Sequence, residues 1–251
     1  MGDDNPQQVM TDAEREEILE LYDGLRVADV TDGLDYHGFH NQNRVSNDIG
    51  PLYRDVEEFS HQITGFAYTA RYLPTNERRD LPHYEELDFE TSHHEWAGEW
   101  WTNKSPDPDT DAMREGDILV AEAHDMEVGI FGSFNLLTFV NEGVRGLVTD
   151  GGPRDTDEVI KEGIPVYSKA VNKTIPPGRA ELAEEGVPVN ISGCQIRPGD
   201  VVVADGDGVV TVPIEHARTV AETAWEVLEN DQDNRREYYD KVGLEHDFTL
   251  E

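Results

Sequence analysis

Apolar residues recur along the chain with two different periods, and each period predicts a type of secondary structure. Alternation of apolar and polar positions, or short β-branched runs bounded by glycine and aspartate, predicts strands. Spacing by three or four residues predicts helices. The predicted strands cover residues 63–72, 116–121, 146–150, 187–191, 201–204 and 209–212. The predicted helices cover residues 11–25, a short segment from Val27, a segment opened by Gly132, and a long segment that starts at 213–216.

The order of these segments predicts an α/β domain with a mixed sheet and several β-hairpins, because strands joined by short turns alternate with helices that can cover the sheet. The Asp-Gly-Asp-Gly sequence at 205–208 favours a hairpin turn. Residues 41–60 lack a periodic pattern, and Gly50-Pro51 is typical of a turn. A chain of 251 residues can form one substantial core, so we expect a single domain over 1–251.

Residues 129–155 contain the candidate ligand site. A glycine turn at Gly132 opens a helix, and the strand at 146–150 ends in the sequence Gly-Gly-Pro-Arg-Asp. Loops beyond the carboxyl ends of strands face a common crevice in an α/β sheet, so we expect these two loops to line one pocket. Amides at a helix N-terminus favour a carboxylate or a phosphate. The residues predicted to bind it are Gly132, Ser133, Phe134 and Asn135.

Arg154 and Asp155 add one fixed cation and one carboxylate to the predicted pocket. Arginine can hold a carboxylate through two hydrogen bonds, and aspartate is a hard oxygen ligand suited to Mg²⁺ or Mn²⁺. A second interpretation stays open at this point. Asp155 or Thr156 would then only cap a helix, and Asp157 and Glu158 would favour its first turn through the helix dipole.

Acidic residues dominate the charge of the chain. Asp and Glu number 54 against 20 Lys and Arg, which gives a net charge of -34. A folded domain with this charge repels itself at low salt and is screened at high salt, so we expect a halophilic protein in a salt-rich cytoplasm. The same field repels phosphate groups, so binding of nucleic acid is not expected. An apolar fraction of 37% argues against disorder.

The number of cysteines and the length of the apolar runs exclude some classes of protein. The single cysteine, Cys194, excludes an internal disulfide framework and is expected to be a small core residue. No apolar run approaches the length of a membrane span, and the N-terminus lacks the charged and apolar regions of a signal peptide. We therefore expect a soluble cytoplasmic protein that does not contact membranes.

Several segments stand in a fixed order that is specific as a set, although each one alone is a weak signal. They are Gly-Phe-Ala-Tyr-Thr-Ala at 65–70, Gly-Asp-Ile-Leu-Val-Ala at 116–121, Gly-Val-Arg-Gly at 143–146, Asp-Gly-Gly-Pro-Arg-Asp at 150–155, Gly-Ile-Pro-Val-Tyr at 163–167 and Arg-Pro-Gly-Asp-Val-Val-Val-Ala-Asp at 197–205. In this order the chain resembles the family of the regulator of ribonuclease activity A (RraA) and of the 4-hydroxy-4-methyl-2-oxoglutarate (HMG/CHA) aldolases.

The resemblance implies a single RraA-like domain with the swivelling β/β/α fold, assembled as a homotrimer or a hexamer with pockets at subunit boundaries. It divides the chain into an N-terminal helix within 1–26, an insertion at 73–114, and a C-terminal helix and tail at 214–251. It also implies a class II lyase that uses Mg²⁺ or Mn²⁺ to cleave a 4-hydroxy-2-oxo acid to pyruvate. Arg154 and Asp155 would be catalytic, and Asp155 would hold the metal.

Two parts of the chain depart from the family pattern. The aldolases have an acidic residue where this chain has Ser133. Decarboxylation of oxaloacetate needs the same enolate stabilisation but removes no hydroxyl proton, so the resemblance leaves both reactions open. The insertion contains His83, His93-His94 and several tryptophans. The histidines suggest a metal site, but they lack the His-Glu-x-x-His spacing of a zinc helix, so we favour a pocket cover or a subunit interface.

Two functions from different classes follow from the resemblance. The first is the metal-dependent lyase acting on a small 2-oxo acid. The alternative is a non-enzymatic regulator of the RraA type, which binds a ribonuclease or another protein partner. An acidic surface would suit a basic protein partner, whereas an open pocket with Arg154 beside Asp155 would serve the lyase.

Overall fold

The computed structural model describes residues 10–77, 88 and 94–250, in which a nearly closed mixed sheet is flanked by helices. The helices are Asp12–Tyr22 (α1), Val27–Tyr36 (α2), Trp96–Asn103 (α3), Ser133–Asn141 (α4), Thr156–Lys161 (α5) and Ala217–Val242 (α6). The strands are Gly50–Pro51 (β1), Ile63–Pro74 (β2), Asp117–Glu122 (β3), Leu147–Thr149 (β4), Val166–Ser168 (β5), Ala180–Glu185 (β6), Val189–Ile191 (β7), Cys194–Ile196 (β8), Val201–Asp205 (β9) and Gly208–Val212 (β10).

The main sheet brings the ends of its parallel strands to one edge. Its strand order is β1-β5-β4-β3-β2-β9-β10, and β6 pairs with β2 beside this path. Strands β2 to β5 are parallel, with Leu119 opposite Leu147 and Leu147 opposite Val166. The remaining strands of this sheet pair antiparallel. The loops that follow β3, β4 and β5 therefore leave the sheet at the same edge, where an α/β sheet binds its ligands.

The core has separate apolar layers because successive side chains of a strand point to opposite faces. On β3, Ile118 and Val120 pack with the β7–β8 hairpin, whereas Leu119 packs with residues of α4. A third layer joins α1, α2 and α6 to β9 and β10. The close packing of α2 on α6 needs a glycine, since a Cβ at Gly33 would lie 2.8 Å from the Val220 carbonyl oxygen. The helices and the sheet thus form one contiguous body.

Most predicted elements are present, although some of their ends differ. The start of α2 at Val27 and the hairpin turn between β9 and β10 are confirmed. Helix α1 ends at Tyr22 rather than at residue 25. Leu25 is buried in the layer under α6, so its apolar character reflects burial of the loop and not continuation of the helix.

Two interpretations of irregular segments are wrong. Gly50–Pro51 is not a free turn but a short strand that pairs with β5. Ala180–Glu185, for which the sequence pattern predicts no strand, forms β6 along β2. Its acidic composition has a low strand propensity, and Arg71 on β2 offsets this by pairing with Glu184. A strand that is stabilised by a cross-strand partner need not show the apolar alternation or the strand propensity by which a strand is predicted.

The described part of the 73–114 insertion packs against the sheet. Its helix α3 places the Trp100 indole Nε1 2.9 Å from the Ala180 carbonyl oxygen, to which it donates a hydrogen bond. The Trp96 ring lies against Gly178. His83 and His93, which belong to the metal hypothesis for this segment, lie outside the described residues. Within the described residues, every helix is too short or too polar to cross a lipid bilayer.

Candidate functional site

Two loops meet at the carboxyl edge of the parallel strands, as the sequence predicts. The loop after β3 and the loop after β4 form a bridge between Gly129 and Gly152. The Arg154 amide donates to the Phe131 carbonyl oxygen at 2.9 Å, which ties the second loop to the residues just before α4. The helix start and the Arg-Asp pair therefore belong to one rigid corner of the fold.

Gly132 lies directly against the acidic group of that corner. A Cβ built on Gly132 would stand 2.4 Å from the Asp155 Oδ2 atom and 3.4 Å from the Arg154 Nε atom. The backbone of Gly132 has a φ of −102°, which any residue can adopt. The glycine is thus required by the close approach of the carboxylate and not by an unusual backbone conformation.

The Arg154 and Asp155 side chains form an ion pair that stays open to solvent. The Nε atom of Arg154 donates to Oδ2 of Asp155 at 3.0 Å, and the two side chains are 35% and 34% exposed. An arginine has five N–H donors, so the pair leaves the guanidinium able to bind a further oxygen anion. The site is therefore not a closed private ion pair, and a ligand can reach both groups.

The conformation of Asp155 argues against the helix-cap interpretation. Asp155 occupies the N-cap position of α5, yet its side chain makes no capping hydrogen bond. Its backbone is left-handed, with φ 55° and ψ 39°, a region that few residues other than glycine adopt. Aspartate is one of the few residues other than glycine that adopt this region at single positions. The carboxylate thus turns toward Gly132 and Arg154 instead of toward the amides of its own helix.

The first amide of the predicted anion site is already satisfied. The Asn135 side-chain oxygen accepts a hydrogen bond from the Gly132 amide at 3.1 Å. The Gly132 amide therefore already has an acceptor within its own helix. The amides of Ser133, Phe134 and Asn135 form the first turn of α4, where a helix offers them no internal carbonyl partner.

Asp107, a residue of the insertion, contacts the site by accepting hydrogen bonds from the Asn135 side chain. The Asn135 amide nitrogen lies 3.0 Å from each Asp107 carboxylate oxygen. The walls around Asp107 partly desolvate its carboxyl group and raise its pKa above the ordinary value, while the hydrogen bond from Asn135 opposes the rise. The residue as a whole stays exposed. Nothing in the sequence pattern singles out Asp107, because its partner stands 28 positions further along the chain.

These groups line a cleft of about 530 Å³. Its described lining residues are Trp101, Thr102, Pro106, Asp107, Gly129, Ile130, Gly132, Phe134, Asn135, Arg154, Asp155, Ile175 and Pro176. The Arg-Asp pair and the start of α4 supply charge and hydrogen-bond donors, and the insertion together with 175–176 supplies the rest of the lining. A cleft of this volume accommodates a small organic acid.

Ser133, the position at which the aldolases have an acidic residue, bonds to a carboxylate from the next helix. Its hydroxyl donates to Oε2 of Glu158 at 2.8 Å. Glu158 stands three positions after Asp155, on the first turn of α5. The sequence shows Glu158 as an acidic residue of this first turn but does not reveal its contact with Ser133.

Two acidic residues near the start of α2, Asp29 and Asp32, lie elsewhere in the fold. Asp29 is buried and accepts hydrogen bonds from two nitrogens of Arg26 at 2.8 and 2.6 Å. Its neighbour Asp32 is on the same helix, which packs on α6. Neither residue lines the cleft.

The residues of the cleft fit a divalent cation that keeps most of its water. The described residues contain no group of three or more His, Cys, Asp or Glu side chains arranged to hold a metal. Mg²⁺ is commonly bound through only one or two carboxylates, with water and substrate oxygens completing its shell. Asp155 offers a single hard, partly exposed carboxylate in the lining of the cleft. The donor set thus suits Mg²⁺ or Mn²⁺ and does not suit a structural zinc ion.

Sequence comparisons connect the chain to one family. A family model described as RraA-like (Aldolase/RraA) matches residues 27–211. Protein DlpA of Legionella pneumophila is 24% identical over 203 residues, which are 81% of this chain and 28% of DlpA. A Halalkalibacterium halodurans protein with the provisional name 4-hydroxy-4-methyl-2-oxoglutarate aldolase is 30% identical over 129 residues, which are 51% of this chain and 60% of that protein. The chain spans less than two thirds of the length of either relative.

Solved structures share the fold over most of the chain. A protein from Pseudomonas syringae pv. tomato superposes with a TM-score of 0.67 at 22% identity, covering 92% of this chain and 94% of that one. Streptomyces coelicolor RraAS2, described as an unusual member of the RNase ES inhibitor RraA protein family, has a TM-score of 0.67 at 23% identity, covering 87% and 96%. The predicted RraA-like α/β fold is confirmed by these superpositions.

Proposed function

Because the chain belongs to the RraA-like family, we propose that it is a divalent-metal-dependent lyase. Its substrate would be a 4-hydroxy-2-oxo acid, cleaved to pyruvate, or oxaloacetate, which loses carbon dioxide. The observation that carries this proposal is the open pair of Arg154 and Asp155 against Gly132, in the lining of a cleft. The provisional aldolase name of a relative supports the same class of reaction.

Asp155 would hold Mg²⁺ or Mn²⁺, directly or through water. The bound ion supplies Lewis-acid polarisation of the 2-oxo group, which lowers the cost of forming an enolate. Arg154 holds the substrate and places its positive charge beside the oxygen on which negative charge develops. The amides of the first turn of α4 orient the carboxylate.

The bonds that change are those around C3 of the substrate. In the aldolase reaction the C3–C4 bond breaks, and its electron pair becomes part of the enolate. The C4 hydroxyl loses its proton to a base and becomes a carbonyl group. In the decarboxylation the same C3–C4 bond breaks, and C4 leaves as carbon dioxide without loss of a hydroxyl proton. Protonation at C3 then gives pyruvate in both cases.

The experiment that tests the proposal is a coupled assay of pyruvate release with Mn²⁺, Mg²⁺ and a chelator at high salt. We expect Asp155→Asn to lower kcat/KM by roughly a hundredfold or more, because it removes the metal-bearing charge. Arg154→Lys keeps the charge but loses the planar fork, so we expect a loss of about tenfold. Asp157→Asn is the matched control, since Asp157 is exposed two positions away on α5 and does not line the cleft.

The outcomes of the assay either support or exclude the lyase. Turnover that stops with the chelator and with Asp155→Asn, but not with Asp157→Asn, supports the lyase. Absence of pyruvate release from every 4-hydroxy-2-oxo acid tested and from oxaloacetate would exclude it, as would full turnover by the Asp155→Asn variant.

A second candidate function is the non-enzymatic regulator, which we propose as the alternative. The net charge of -34 favours association with a basic protein surface and is the observation that supports it. Such a role needs no open Arg154–Asp155 pair. Saturable, salt-sensitive binding of a purified RraA-type ribonuclease partner by a chain without lyase activity would favour the regulator. Absence of such binding would exclude it for that partner.

We also propose that the chain forms a homotrimer or hexamer in the cytoplasm. Helix α4 presents an apolar row to solvent, with Phe134, Leu137 and Val140 80%, 43% and 40% exposed. A row of this kind is typical of a surface that a second copy covers. Light scattering at high salt measures the mass, and a monomeric mass at micromolar concentration would contradict the assembly.

A further inference from the structure

The insertion contributes a rigidly held carboxylate, Asp107, to the same cleft as the proposed catalytic pair. Asp107 stands between Pro106 and Pro108, whose rings restrict the backbone on both sides. The segment is anchored before this point, where the Leu182 amide donates to the Lys104 carbonyl oxygen at 2.8 Å. It is anchored after this point, where the Asp109 amide donates to Glu185 at 2.8 Å. Asp107 is thus a fixed part of the cleft wall.

The hydrogen bond from Asn135 orients Asp107 further. Asn135 uses its oxygen for the Gly132 amide and its nitrogen for both carboxylate oxygens of Asp107. The assignment of oxygen and nitrogen in this side chain is self-consistent, because a carboxylate and an amide N–H demand opposite partners. Asp107 is therefore connected through one side chain to the helix start that faces Asp155.

The described lining of the cleft contains two carboxylate side chains and one cationic side chain. Arg154 is its one cation, and it already pairs with Asp155. Asp107 is the second carboxylate, and no lysine or arginine of the lining faces it. If Arg154, Asp155 and the α4 amides bind the 2-oxo acid head, the rest of the substrate lies along the remaining lining, which includes the insertion residues and 175–176.

We propose that Asp107 sets the substrate class of this site, which is a 2-oxo acid with an uncharged, hydroxylated tail and not a second carboxylate. Of the two reactions proposed above, Asp107 therefore favours cleavage of a 4-hydroxy-2-oxo acid over decarboxylation of oxaloacetate. The inference rests on the proposed function. A hydroxyl group can donate a hydrogen bond to the Asp107 carboxylate. A tail carboxylate would meet like charge there, while Arg154 is already paired with Asp155 and would hold the head. The Trp101 ring, 40% exposed, offers an apolar face to the C–H groups of such a tail.

Equilibrium binding of two ligands that cannot be cleaved tests the proposal without turnover. 5-Hydroxy-2-oxopentanoate and 2-oxoglutarate share the head and the chain length, and they differ only in a terminal hydroxymethyl or carboxylate group. Calorimetry at pH 8 with Mg²⁺ would compare the wild type with Asp107→Asn, in which the amide oxygen still accepts the hydrogen bond from Asn135. Asp111→Asn is the matched control, because Asp111 is exposed in the same segment and does not line the cleft.

We expect the wild type to bind the hydroxylated ligand roughly tenfold more tightly than the dicarboxylate, since like charges at close range are costly. Asp107→Asn should reduce this ratio to about one, mainly by strengthening the binding of 2-oxoglutarate. Asp111→Asn should leave the ratio at its wild-type value, which would exclude a general effect of net charge.

Other outcomes overturn the proposal. Equal binding of both ligands by the wild type would do so, as would a ratio that Asp107→Asn leaves unchanged. Slow cleavage by Asp107→Asn with an unchanged ratio would instead assign Asp107 to proton transfer. Failure of the lyase proposal is seen separately, as absence of pyruvate release or as full turnover by Asp155→Asn. If neither ligand binds although pyruvate is released, the Asp107 proposal falls and the lyase proposal stands.

Discussion

Replacement of Gly132 by alanine tests whether the position of the Asp155 carboxylate matters for activity. The added Cβ would meet Asp155 Oδ2 at 2.4 Å, which is about 1 Å shorter than ordinary van der Waals contact. The Gly132 backbone suits alanine, so the carboxylate has to move instead of the main chain. A shift of this size also disturbs the 3.0 Å contact between Asp155 and Arg154.

The expected effects on activity and on stability differ in size. Misplacement of a catalytic group by about 1 Å can cost roughly a hundredfold in rate, and we expect a loss of this order in kcat/KM for pyruvate release. Alanine at a helix N-cap in place of glycine costs about 1 kcal/mol or less. For a chain of 251 residues this shifts the Tm by only about 2–4 °C.

The measurement combines the pyruvate assay with thermal unfolding. Gly50→Ala is the matched control, because a Cβ at Gly50 meets no atom within 4 Å. The double variant Gly132→Ala with Asp155→Asn should lose no more activity than Asp155→Asn alone, since both changes act on the same carboxylate. Near wild-type activity in a folded Gly132→Ala variant, or fully additive losses in the double variant, would refute the reasoning.

Two further predictions concern stability. The guanidinium of Arg15 is 3% exposed and lies 2.7 Å from the Asp117 carboxylate, so Asp117→Asn leaves a buried cation without its charge partner. We expect urea unfolding to show that the free energy of unfolding falls by about 3–5 kcal/mol. A fall of less than about 1 kcal/mol would contradict this. Hydrogen bonds from Arg197 lower the pKa of Glu215 from 4.5 to about 2. The stabilising charge is thus present above pH 4.5 and is lost as the pH falls toward 2, so the wild type should lose its advantage over Glu215→Gln in that window. The step should be small because both side chains are partly exposed, and a difference in urea midpoints that does not change with pH would count against it.

The periodic elements of this protein were predictable because their signals are local. The alternation at 63–72 and the β-branched runs at 201–204 and 209–212 correspond to β2, β9 and β10. The side chains of such strands meet the core at every second position whatever lies on the other side. The capping box at Thr11 and Glu14, which starts α1, likewise acts within one turn.

The resemblance to a family extended the prediction to the site, but only to the parts that the family shares. The contact between the Arg154–Asp155 loop and the start of α4 follows from parallel strands whose carboxyl ends meet at one edge. The interaction of the Gly132 amide with Asn135 was missed, because a main-chain donor can be satisfied by a side chain three positions along its own helix.

Sequence alone therefore determined the α/β layering, the two loops at the sheet edge and the adjacent cation and carboxylate, since each depends on near neighbours or on strand direction. Only the tertiary structure revealed β6, the left-handed turn of Asp155 and the entry of Asp107 into the cleft. These features depend on contacts between segments far apart in the chain. Packing and cross-strand hydrogen bonds stabilise such contacts, and neither can be predicted from the local order of polar and apolar residues.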